Sequence, residues 1–146
     1  MALDDTWTLD RIRGHLGATL PVAALFGVEL LSADPAHAAV RVLGSPHATR
    51  FGGTVAGPVL FAAADVATYA WLLAARGAPE AITVDTDIHF LRPATGFPLL
   101  ARATPLRSGR RLATVEVRIV AEGSPDRLLV QATSTFALPP PGDGGG

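Results

Sequence analysis

The stretch PVLFAAADVATYAWLLAARG, residues 58–77, decides the fold. Proline fits the first helical position, where its missing N–H would be unpaired in any case. Gly77 fits the C-terminal stop, because glycine readily takes the left-handed conformation that ends a helix. The spacing therefore predicts a helix over 58–76. It is rich in alanine and apolar all round, which is the signature of an enclosed helix and not of one lying on a surface. The run 55–75 approaches the length of a membrane span, but Asp65 stands in its middle with Thr68 and Tyr69. Such polar positions are costly in lipid, so a helix in a soluble core is expected, with no membrane partner.

Downstream of this helix lie four runs rich in Val, Ile, Thr and Leu, at 81–91, 99–106, 112–121 and 128–136. These residue types suit strands. Turns at Gly109 and 123–126 make an antiparallel meander the simplest connection. Upstream, the runs 26–33 and 38–43 flank Asp34-Pro35 and read as a hairpin. Thr8 caps a short amphipathic helix over 8–17, with Leu9, Ile12 and Leu16 on one face and Gly17 as its end. The order is β-β-α-β-β-β-β. A sheet beside one wholly apolar helix buries both only by curling around it. The expected class is α+β, with an antiparallel sheet of five to six strands wrapped around one long central helix. One domain is expected over 1–138, and a Pro/Gly tail at 139–146 is expected to be disordered.

Composition removes several function classes. The net charge is -1 and the basic residues are scattered, so no cationic stripe is present to follow a phosphate backbone. Nucleic acid is not an expected partner. Without cysteine there is no thiolate nucleophile and no Cys-based metal site. His15, His37, His47 and His89 never fall three or four residues apart, so a local metal motif is absent too. Neither a Gly-x-Ser-x-Gly elbow nor a phosphate loop occurs. The acidic Asp4 and Asp5 near the start oppose a signal peptide, and a cytoplasmic location is expected.

Asp65 is the most informative residue. It lies two turns into the helix, beyond the reach of capping and of the helix dipole. Its neighbours at helical spacing are Phe61, Ala62, Thr68 and Tyr69, none of them a cation. A carboxylate among apolar neighbours has its pKa pushed up unless a partner arrives from elsewhere. Two readings stand: acid–base catalysis, or a structural acid that bonds a loop backbone or pairs with Arg50. The run Gly52-Gly53-Thr54-Val55-Ala56-Gly57 puts small residues and free N–H groups at the helix mouth. There the Gly57 N–H is placed to polarise a carbonyl oxygen.

The run Gly53-Thr54-Val55-Ala56-Gly57-Pro58, with Asp65 seven positions later, resembles the phenylacetate-pathway (PaaI-like) type of hotdog acyl-CoA thioesterases. Their pattern is Asn, a short spacer, Gly-Thr-Val-His-Gly-Gly and then an acidic residue. Ile82-Thr83-Val84-Asp85, Phe90-Leu91-Arg92-Pro93-Ala94 and Ser108-Gly109-Arg110-Arg111-Leu112 resemble later parts of the family, so the likeness spans about 22–137. It implies a hotdog fold, a homodimer, often a dimer of dimers, and an acyl-CoA substrate with no cofactor beyond the coenzyme A of that substrate. It makes Asp65 the base or nucleophile and Gly57 the oxyanion donor. Thr83, contributed by the other subunit, would assist the water. Arg50 stands at the Asn position, Ala56 at the His and Pro58 at the second Gly.

The substrate-binding set expected is Arg50, Ala56, Thr68, Tyr69 and Arg110, with Arg110 and its neighbour Arg111 as candidate contacts to coenzyme A phosphates. Arg50 either binds an anion or pairs with Asp65 and restrains it. Hotdog hydratases and dehydratases usually use a His, and Ala56 at that position favours hydrolysis. A non-catalytic acyl-CoA or aromatic-ligand binding protein is the reading from another class, and contact between Arg50 and Asp65 discriminates the two.

Overall fold

A computed structural model of the chain describes residues 6–140; most of the expected tail at 139–146 lies outside the described residues. Helix α1 (Leu9–Thr19) begins where Thr8 Oγ1 accepts the Arg11 N–H at 3.2 Å, and it buries Ile12 and Leu16. The end expected at Gly17 is corrected. Gly17 has open space around it and no left-handed φ, so the helix continues to Thr19 and breaks only where Pro21 begins a separate turn, α2 (Pro21–Leu25). Strands β1 (Val28–Ala33) and β2 (Ala38–Val42) form the expected hairpin. Its turn is held by Asp34 Oδ1, which accepts the Ala36 and His37 N–H groups at 2.7 and 3.0 Å.

The central helix α3 (Gly57–Arg76) ends, as its sequence predicts, with Gly77 at φ 55°. Strands β3 (Ile82–Phe90), β4 (Leu99–Ser108), β5 (Leu112–Ala121) and β6 (Ser124–Ala137) follow. The six strands form one sheet in the order β1-β2-β4-β5-β6-β3, and every pairing is antiparallel. The meander holds for β4-β5-β6 but not for β3, which pairs with β6 at the far edge. Strand-forming residues specify a pleated, half-buried surface and not a partner. The segment after β3 is tied to β6 instead, with the Leu91 and Arg92 N–H groups both donating to Leu129 O.

The sheet curls around α3, which is the hotdog arrangement. Side chains alternate along β4 and β5 so that Ala101, Ala103, Ala113, Val115, Val117 and Ile119 meet the helix, all fully buried. The alanines let the helix backbone approach closely, and Leu72 and Leu73, also at 0 % exposure, each contribute about 2 kcal/mol by leaving water. The Trp71 indole buries with them and donates to Pro35 O at 2.9 Å, so its polar atom is satisfied. α3 is long and apolar enough to cross a membrane, yet most of it is packed inside the sheet.

One irregularity positions the site. In β3 the ladder shifts between Thr83 and Asp85, leaving Val84 without a β6 partner. This bulge puts Thr83, Thr86, Ile88 and Phe90 opposite the inward-facing Phe136, Ser134, Ala132 and Val130. Asp85, Asp87 and His89 share the outer face, as their alternation predicts, and all three are exposed.

Candidate active site

The mouth of α3 is a small built structure. Thr49 bridges Val55, the Arg50 N–H donates to Thr54 O and the Gly53 N–H donates to Arg50 O. Gly52 and Gly53, at φ 91° and 81°, make the reversal that other residues would resist. The Val55 N–H donates to Ala94 O, and the Ala56 N–H to Ala48 O. The Gly57 N–H is left with no hydrogen-bond partner among the described residues. It opens into a cavity of about 400 Å³ lined by Arg50, Thr54, Leu60, Phe90, Arg92 and their neighbours. A Cβ on Gly57 would lie 3.6 Å from the Phe90 ring. Ala56 offers no polar side chain and packs half-buried against the core.

Asp65 sits about 12 Å farther along the helix. It is half-buried, and Thr83 Oγ1 donates to its Oδ1 at 3.2 Å. Burial raises its pKa above the usual carboxylate value, and the Thr83 bond opposes that only in part. Arg50 makes no ion pair with it within the chain, so the structural reading in which Arg50 restrains Asp65 does not hold there. Thr83 donates to the Asp65 of its own chain, so acid and hydroxyl form one unit.

Three expected binding residues lie elsewhere. Thr68 is 0 % exposed and donates to Ala64 O at 2.9 Å, since its position on the helix turns it toward the core. Tyr69 donates to Pro79 O at 2.8 Å and meets His15 Nε2 at 2.9 Å, so its hydroxyl is used to hold α1 against α3. Arg110 lines a depression with Arg76, Gly77 and Leu138 at the C-terminal end of α3, roughly 30 Å from Gly57 of the same chain. Conversely, Leu60, Phe90 and Arg92 line the mouth without having been singled out. The Phe90-Leu91-Arg92-Pro93 run was visible, but its place depends on β3 reaching the far edge. A depression of about 380 Å³ between 93–99 and 121–129 contains Arg127 as its only charged lining residue and neither Gly57 nor Asp65.

A free backbone donor at a helix mouth and a desolvated carboxylate with a hydroxyl partner are the parts required for acyl transfer to water. Residues 52–127, just over half of the chain, match the thioesterase superfamily, and the chain belongs to that family. Zebra fish thioesterase superfamily member 2 has the same fold, with TM-score 0.78, 27% identity, and coverage of 90% of this chain and 99% of that one. A mutant of the phenylacetic acid degradation protein PaaI from Thermus thermophilus matches with TM-score 0.72 and 28% identity, over 82% of this chain and 99% of that one. A thioesterase of Haemophilus influenzae aligns over 100% of both chains with TM-score 0.82, but at 18% identity it bears on the fold alone. No curated protein matches the chain. The PaaI-like hotdog thioesterase type read from the sequence is borne out.

Proposed function

We propose that the protein hydrolyses acyl-CoA thioesters in sites shared between two copies of the chain. The observation that carries this is the separation of the two halves: the free Gly57 N–H is at one end of β3, beside Phe90, and the Asp65–Thr83 unit is at the other. β3 is a sheet edge with exposed apolar residues, Ile82 at 70 % and Val84 at 61 %. Such an edge is normally covered. Pairing it antiparallel with its own copy sets Phe90 of one chain beside Ile82 and Thr83 of the other. That brings the partner subunit's Asp65 to Gly57, and the apolar shelf of Phe61, Ile88 and Phe90 is covered by the same contact. A further pairing of dimers is compatible with the family likeness.

In the reaction, the Asp65 carboxylate takes a proton from a water aligned with Thr83, and the oxygen attacks the thioester carbon. The Gly57 N–H stabilises the oxyanion, a contribution of about 3 kcal/mol for a well-aimed donor. Collapse breaks the carbon–sulfur bond, the free acid forms, and the coenzyme A thiolate recovers the proton from Asp65. Direct attack by Asp65, giving an anhydride that water then opens, uses the same groups.

The test is thiol release from short, medium, long and aryl acyl-CoAs by the native protein, by Asp65→Asn and by Gly57→Val. Each variant alone should be inactive on the class that the native protein hydrolyses. Co-assembled, the two should regain activity, because one of the two shared sites in a mixed dimer is intact. Absence of recovery in verified mixed dimers would place the whole site in one chain.

A further inference from the structure

The cavity at the helix mouth carries charge that hydrolysis does not use. Arg50 and Arg92 both line it beside Gly57, and no Asp or Glu does. Arg92 commits one N–H to Leu128 O at 2.6 Å and keeps the rest of its fork. The Arg50 backbone is fixed at both its N–H and its carbonyl, while its guanidinium has no partner among the described residues. Neither 50–60 nor 90–94, the segments that supply the lining, contains an acidic residue. A cationic pair that no lining acid of its own chain compensates, in a cavity with walls of Val55, Leu60, Phe90 and Ala94, is suited to an anion on an otherwise apolar group.

Distance decides which anion. An acyl-CoA has its phosphates at the end of the pantetheine arm, about thirteen bonds from the sulfur and roughly 16 Å away when extended. The cavity, at about 400 Å³, is about 9 Å across if spherical. With the thioester oxygen on the Gly57 N–H, the phosphates lie outside it, and the neutral pantetheine arm has no use for two guanidinium groups. A carboxylate on the acyl group falls inside.

We propose that Arg50, assisted by Arg92, binds a carboxylate borne by the acyl group, so that the protein selects coenzyme A thioesters of short dicarboxylic acids. This rests on the thioester reading of the Gly57 site and adds the substrate class. Binding measured calorimetrically in Asp65→Asn protein needs no turnover. Succinyl-CoA should bind at least about tenfold more tightly than butyryl-CoA, which has a methyl in place of the carboxylate. Adding Arg50→Gln should bring that ratio close to one, whereas Arg102→Gln, on the outer face of the sheet, should leave it as it was. Equal affinities in the Arg50-containing protein overturn the proposal. So does equal weakening of both ligands by Arg50→Gln, which would assign the arginine to coenzyme A. Thiol release by the native protein decides the hydrolytic reading separately: hydrolysis without this ratio removes the dicarboxylate proposal alone.

Discussion

The two edges of the sheet are treated in opposite ways. At β1 the edge is short, bulged between Leu30 and Ser32, and closed by a side chain: Arg13 Nε and Nη2 donate to Leu30 O at 3.2 and 3.0 Å. α1 and α2 pack beside it. At β3 the edge is nine residues long, has Ile82 and Val84 exposed, and has no element of the described chain against its outer side. An edge with free N–H and C=O groups invites pairing, and proteins usually blunt the ones they do not use. One edge here is blunted and the other is left open, and the open one connects the two halves of the site. The contrast is what supports the proposed pairing with a second copy at β3.

The largest effect should follow from giving β3 the treatment β1 receives. Ile82→Lys with Val84→Lys is expected to shift the protein to monomer in sedimentation velocity at micromolar concentration and to remove hydrolysis to background, while circular dichroism stays native. A monomer that remains active would break the comparison. Next, Asp65→Asn should lower kcat by about 10²- to 10⁴-fold, the range of a lost general base, without changing the oligomer.

The pH dependence has two consequences. As a base Asp65 works ionised, so kcat/KM should rise with pH through a limb above the usual carboxylate value of 3.8, and the limb should vanish in the variant. Because burial raises this pKa, the folded state holds the proton more tightly than the unfolded one. Its stabilising contribution is present below the unfolded value and lost as pH rises through the folded value, so Asp65→Asn should not destabilise the fold at neutral pH.

Thr83→Val comes third. It removes the bond that partly offsets burial, so the acid limb should move to higher pH and kcat should fall about tenfold. The smallest effect belongs to the closed edge. Arg13→Ala frees Leu30 O and should cost about 1–2 kcal/mol in urea unfolding with no loss of activity.

Much of the fold was legible because its signals are local. Pro58 and Gly77 bracket α3 through backbone chemistry, and the Asp34 turn and the alternation in β5 are properties of a few adjacent residues. The location of β3 was not legible, since pairing with β6 rather than β4 is settled by which non-local contacts close the sheet. The site divides along the same line. Asp65 and Gly57 stand out by what their neighbours lack.

Thr68 was misplaced by its spacing. Three residues leave it about 60° around the helix from Asp65, where it is fully buried, whereas Tyr69 lies about 40° to the other side and is only half-buried. For Thr83, strict alternation would put it outside with Asp85, Asp87 and His89, and only the bulge turns it inward. A bulge is one residue of local geometry that side-chain type does not announce. Phe90 and Arg92 were hidden for the larger reason that their strand sits at an edge the sequence did not specify.

That bulge also supplies a reporter position. Val84 has no ladder partner, is largely exposed, and lies on the open edge within a residue of Thr83. In a chain with no cysteine, Val84→Cys creates a single thiol to which a nitroxide can be attached without interrupting a strand hydrogen-bond pair. Two such labels on an antiparallel β3 seam would sit close enough for their electron spins to broaden one another, so an ordinary resonance spectrum would follow assembly of the shared site in real time.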